Sequence, residues 1–161
     1  MNAAGALTAG DLYGFAALFM IALAAALMLF RSKLLKVTKN IAVVRTLHLV
    51  ISTLAGLFLT LHIAVLFLPP ISTGIVLGYV AVIASVVAWL TGTAFLQKVK
   101  DSLFFHGVLS SILIPLALMH AATASTNVPA ALEEAFLGGA AVVVFSNAAL
   151  QIKRALGSIP R

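Results

Sequence analysis

The 161-residue chain is 63% apolar and only 9% charged, a balance outside the range of ordinary soluble domains. Its net charge of +6 does not indicate nucleic-acid binding, because the cations fall in short runs between apolar segments and not along one helix face. The chain has no cysteine, which excludes disulfides, thiolate-ligated iron–sulfur clusters and covalently attached heme within it. We therefore predict an all-α integral membrane protein in which any metal is held by histidine or oxygen.

Five apolar segments fill most of the length, and each is long enough to cross about 30 Å of hydrocarbon as an α-helix. They leave no room for a soluble domain, so we expect a single membrane domain over residues 1–161. Residues 1–11 contain no Lys or Arg, so the first segment does not begin like a cleaved signal peptide and we expect it to be retained. The predicted spans are residues 12–30, 41–68, 75–96, 102–122 and 131–152.

The positive charges indicate how these spans are oriented. If the N-terminus lies outside and the spans alternate in direction, all ten Lys and Arg residues fall on the cytoplasmic side, as the positive-inside rule requires. The opposite side receives Asp11, Glu133 and Glu134 and no basic residue. We therefore expect a multi-pass protein of an inner or plasma membrane, with its N-terminus outside and its C-terminus in the cytoplasm.

The four histidines form a regular pattern in the second and fourth segments. Thirteen residues separate His48 from His62, and thirteen separate His106 from His120. Fourteen helical steps fall about 40° short of four turns, so both histidines of a segment project from nearly the same face, ~21 Å apart along the axis. Because the two segments run in the same direction, His48 is level with His106 towards the cytoplasm, and His62 is level with His120 towards the outside.

Facing imidazoles at two depths indicate two hemes. A buried polar side chain in a membrane is costly unless it has a partner, and imidazole is a common axial ligand of heme iron. We predict that His48 and His106 bind one iron and that His62 and His120 bind the other. Arg45, one turn from His48, adds a positive charge for the heme propionates. Small residues near the ligands leave space for the planar macrocycles: Ser52, Ala55, Gly56, Gly107 and Ser110.

The two His-x13-His segments resemble the diheme four-helix core of cytochrome b from quinol-oxidising complexes. They are also similar in logic to ferric reductases and to the membrane anchors of hydrogenases and nitrate reductases. The resemblance covers the first four segments and implies two b-type hemes in a four-helix core. The Pro-Glu-Trp-Tyr motif of the quinol site, the long second half of cytochrome b and a flavin or NADPH domain have no counterpart in this sequence. We therefore expect a subunit that relays electrons and not a complete reductase.

The expected function is transmembrane electron transfer within a respiratory or other membrane redox complex. The expected partners are the lipid bilayer and an iron–sulfur or cytochrome subunit, and a quinone is a further candidate ligand. Two alternatives stay open. The chain could be a non-redox scaffold or assembly subunit whose histidines only pack between helices, or a small metal or proton transporter. A b-type heme spectrum distinguishes the first function from both alternatives.

Overall fold

The computed structural model describes residues 8–66, 72–92 and 102–124. Within these ranges the chain forms helices only: α1 (Ala9–Leu29), α2 (Arg31–Thr38), α3 (Ile41–Leu66), α4 (Thr73–Gly92) and α5 (Ser102–Ala124). All but α2 are long and apolar enough to cross a membrane. The prediction of an all-α chain is confirmed for the described residues, and so is the presence of four membrane-length helices. The predicted fifth span, residues 131–152, lies outside them.

The first helix begins earlier than the apolar pattern indicates, because a capping box fixes its start. The Thr8 hydroxyl accepts a hydrogen bond from the Asp11 backbone N–H at 3.2 Å, and the Asp11 carboxylate accepts one from the Thr8 N–H at 3.0 Å. These bonds satisfy backbone groups that lack partners at a helix N-terminus. The helix consequently includes Gly10, a residue that the sequence analysis placed before the span.

The short helix α2 was not predicted, because its apolar face is narrow and lies among basic residues. Leu34, Leu35 and Thr38 are half-buried, whereas Arg31 and the lysines beside them are exposed. The helix ends at Lys39, which has the left-handed conformation with φ 52°. It therefore joins α1 to α3 as a basic segment at one end of the bundle.

The four long helices form a square in which neighbours pack and diagonals stay apart. The largest contacts join α1 to α3 and α4 to α5, and smaller contacts join α1 to α5 and α3 to α4. In the described ranges no Cα of α3 lies within 8 Å of a Cα of α5, and the same holds for α1 and α4. The centre of the bundle is therefore bounded by two pairs of facing helices that do not touch through their backbones.

The apolar core lies mainly around α5. Leu18 of α1 packs on Ile114 and Leu118 of α5, whereas Ala81 of α4 packs on Leu113 of α5. Pro115 lies inside this helix, where it removes one backbone hydrogen bond. The packing of α5 on both neighbours holds the α1–α3 hairpin against the α4–α5 hairpin.

Candidate functional site

The four histidines meet in two pairs across the diagonal between α3 and α5. The ring centres of His48 and His106 lie 6.2 Å apart, and those of His62 and His120 lie 5.9 Å apart. The rings of each pair are steeply inclined to one another, at 89° and 75°. These imidazoles thus span the gap between two helices whose backbones do not approach.

Every imidazole is anchored by its Nδ1 atom to a backbone carbonyl of the neighbouring helix. A carbonyl oxygen only accepts hydrogen bonds, so each Nδ1 carries the proton and donates it, which leaves the lone pair on Nε2. The distances from Nδ1 to oxygen are 3.2 Å for His48 to Ala24, and 2.7 Å for His62 to Gly10, His106 to Ala88 and His120 to Gly74. Within the described residues the Nε2 atoms have no hydrogen bond, so they are the atoms left to bind a metal.

Glycines on α1 and α4 let these rings approach the helix backbone. A Cβ atom on Gly14 would lie 2.9 Å from Cε1 and Nδ1 of His62. On Gly78 and Gly92 it would lie 2.8 Å from the same atoms of His120 and of His106. Real Cβ atoms essentially never come closer than 3.0 Å. At these three positions any side chain would therefore push the imidazole away.

The acceptors repeat with the same spacing as the histidines. Gly10 and Ala24 are fourteen residues apart in α1, and so are Gly74 and Ala88 in α4. The two helices of each hairpin are antiparallel. The acceptor at the start of the first helix therefore lies beside the later histidine of the second helix, and the other acceptor lies beside the earlier histidine. The α1–α3 and α4–α5 hairpins thus present the same two-level arrangement of carbonyls and imidazoles.

A cavity of about 690 Å³ lies at the His62–His120 level. This volume is within the ~300–1,000 Å³ typical of small-molecule and cofactor sites. Aliphatic side chains form most of its wall, and Asp11, Tyr79 and Ser85 add polar atoms. The surroundings therefore suit a mostly apolar ligand that also carries a polar group.

The other residues predicted from the sequence lie in varied surroundings. Ala55 is buried, whereas Gly56 is exposed and a Cβ atom on it would meet nothing within 4 Å. Arg45 is exposed one turn before His48. Ser52, Gly107 and Ser110 are half-buried. None of these residues is among the described residues that line the cavity.

The sequence analysis missed the anchoring carbonyls and the glycines under the rings. A backbone carbonyl has no sequence signature, because every residue carries one. The glycines had a signal, however: Gly78 and Gly92 are fourteen residues apart, as the histidines are. This repeated spacing marks a helix face that must stay free of side chains at two levels.

Neither histidine pair has a third His, Cys, Asp or Glu side chain placed to share a metal ion with it in the described part of the chain. No three His, Cys, Asp or Glu side chains come together in residues 8–66, 72–92 and 102–124. Structural and catalytic zinc sites use three or four protein ligands. Each histidine pair therefore has too few protein ligands for a zinc site of this kind.

No protein-family model, curated protein or solved structure matches this chain. The fold and the site define its class without them. In its described residues it is a helical protein with four membrane-length helices and two levels of paired, carbonyl-anchored histidines.

Proposed function

We propose that the chain is a diheme membrane cytochrome that passes electrons across the bilayer. His48 and His106 ligate one heme iron through Nε2, and His62 and His120 ligate the other. The bound hemes supply reversible one-electron chemistry. The protein residues hold them at two depths, orient the ligands and exclude water.

The separation of the ring centres is the observation that carries the proposal. An imidazole nitrogen binds a first-row metal ion at ~2 Å and lies about 1.2 Å from its ring centre, so two axial imidazoles have centres ~6.3 Å apart. The observed separations are 6.2 and 5.9 Å. Both separations are compatible with one iron between the two rings, which supports the proposal.

The hydrogen bonds at Nδ1 support the same function. A histidine that ligates a metal nearly always donates its other N–H to a carboxylate, a backbone carbonyl or water, which fixes the ring and raises its basicity. All four histidines donate in this way to a carbonyl. Packing histidines also bond to neighbouring helices, so the support comes from the repetition of one ring orientation at both levels.

The separation of the two histidine levels supports electron transfer between them. The ligands on one helix are fourteen residues, or ~21 Å, apart along its axis, and the edges of two macrocycles come much closer than their centres. One level lies near each end of the four-helix bundle. We propose that electrons enter at one level and leave at the other, exchanged with a quinone or with a redox partner subunit.

The exposed guanidinium of Arg45 is proposed to support the His48–His106 heme. It lies one helical turn from His48, at the end of the bundle where the basic helix α2 also lies. A positive charge there attracts the heme propionates. It also favours the reduced heme, which carries one more negative charge than the oxidised heme.

Heme analysis of the full chain and of four single variants tests the proposal. The purified chain should contain two b-type hemes, and His48→Ala, His62→Ala, His106→Ala and His120→Ala should each contain one. The pairing is tested by the redox titration of these variants. His48→Ala and His106→Ala should lose the same midpoint, and the other two variants should lose the second.

A chain purified in folded form without heme would contradict the proposal and favour a scaffold role. Two hemes retained in all four variants would contradict the ligand assignment. Val43→Ile is the matched control, because it adds a methyl group to an exposed side chain of α3. It should keep both hemes.

A further inference from the structure

The four histidine anchors are alike except at one place, the anchor of His48. At the other three, the residue four positions after the accepting carbonyl is a glycine that lies against the imidazole. Gly14 follows Gly10, Gly78 follows Gly74 and Gly92 follows Ala88. The residue four positions after Ala24 is Met28.

The exception in sequence coincides with an exception in geometry. The bond from His48 Nδ1 to the Ala24 oxygen is 3.2 Å long, whereas the other three are 2.7 Å. A Cβ atom at the glycine positions would lie 2.8–2.9 Å from the ring, and ordinary contact begins at 3.4 Å. A ring facing a Cβ must therefore withdraw by about half an ångström, which matches the extra length of the His48 bond.

We infer that Met28 makes His48 the most weakly held of the four axial ligands, so that the His48–His106 heme binds a small neutral iron ligand such as carbon monoxide. This inference rests on the proposed diheme function. The position of the Met28 Cβ atom is fixed by the helix backbone, so the effect does not depend on the rotamer of the thioether chain.

The chemistry of the exchange follows from the weaker anchor. A short hydrogen bond at Nδ1 raises the basicity of the imidazole and fixes its orientation, and both strengthen its bond to the metal. At His48 both effects are reduced. On a bound ferrous heme, carbon monoxide would take the place of His48 Nε2 while His106 would keep its bond, with no transfer of an electron or a proton.

Carbon monoxide titration of the reduced full chain tests the inference. Half of the heme should bind carbon monoxide in the wild type and in Met28→Ala, which keeps the Cβ atom. In Met28→Gly the ring can approach Ala24, so carbon monoxide affinity should fall about tenfold or more, the scale of effects at residues behind a metal ligand. Met20→Gly, the same substitution elsewhere in α1, should behave as the wild type.

Heme content measured on the same samples separates the two ways of failing. Two hemes with no carbon monoxide binding in the wild type, or with equal binding in Met28→Gly, would overturn the inference and leave the proposed function intact. A folded chain without heme would overturn both. If Met28→Gly does not assemble, Arg45→Gln identifies which heme binds carbon monoxide. The midpoint of the heme that binds carbon monoxide should shift in this variant. A shift in the midpoint of the other heme alone would overturn the inference.

Discussion

A single methyl group on Gly78 should weaken one heme site and leave the other unchanged. The added Cβ atom would lie 2.8 Å from Cε1 and Nδ1 of His120, and 3.3 Å from Nε2. Ordinary contact begins at 3.4 Å, so the ring must move by about 0.6 Å, beyond the ~0.5 Å within which a binding constellation has to be held.

The magnitude follows from the role of the anchor. Moving the ring lengthens the 2.7 Å bond from His120 Nδ1 to the Gly74 oxygen, and loss of such support behind a metal ligand typically costs about 10–100-fold in affinity. A Cβ atom on Gly74 would lie 3.0 Å from the Thr123 hydroxyl oxygen, so α4 and α5 are closely packed at this level. We therefore expect Gly78→Ala to release heme from the His62–His120 site about 10–100 times faster than the wild type does.

The assay is heme transfer to an excess of a heme-free globin, followed by the absorbance of the globin. The wild type should release both hemes slowly, whereas Gly78→Ala should release half of its heme in a separate fast phase. Val43→Ile controls for the addition of one methyl group to a helix, because this side chain is exposed. Identical release from Gly78→Ala and Val43→Ile would contradict the proposed effect of the added Cβ atom.

Three further substitutions test other parts of the structure. Arg45→Gln should lower the midpoint of one heme by less than about 59 mV, a tenfold change in a one-electron equilibrium, because the guanidinium is exposed. Arg31→Gln on α2 is the control. An equal shift of both midpoints would contradict the placement of Arg45 beside the His48–His106 heme. Thr8→Ala removes the N-cap of α1 and should lower stability by about 0.5–2 kcal/mol, seen as earlier thermal loss of the heme at His62; an unchanged melting curve would argue against the capping box. Ser102 is buried, and its hydroxyl has no hydrogen-bond partner among the described residues. Ser102→Ala should therefore leave the free energy of unfolding unchanged or raise it by up to about 1–3 kcal/mol. A lower unfolding temperature would show that the hydroxyl stabilises the protein.

The membrane helices and the histidine levels were accessible from sequence, because both depend on simple periodicities. An uninterrupted apolar run predicts a span, and a spacing of fourteen residues places His48 and His62 on one helix face. The structure brings each of these histidines to its level partner on α5. The span over residues 131–152 rests on the same kind of apolar run and stays a prediction.

The carbonyls and glycines that orient the imidazoles belong to the neighbouring helices. Which helices are neighbours was not predicted from the sequence. It placed the small residues of α3 and α5 against the cofactor, yet the closest approaches to the imidazoles are at Gly14, Gly78 and Gly92 of α1 and α4. Since α3 and α5 lie on a diagonal, the helices beside them supply the anchoring carbonyls. A contact of this kind is a property of the square arrangement and not of any single helix.

Low-temperature electron paramagnetic resonance of the oxidised, purified chain gives the sharpest test of the diheme proposal, because it reports the axial ligands of each ferric heme. We expect two low-spin signals of bis-imidazole type, in equal amounts, that together correspond to two irons per chain. Folded protein that gives no such signal, or gives only high-spin heme with one histidine ligand, would contradict it.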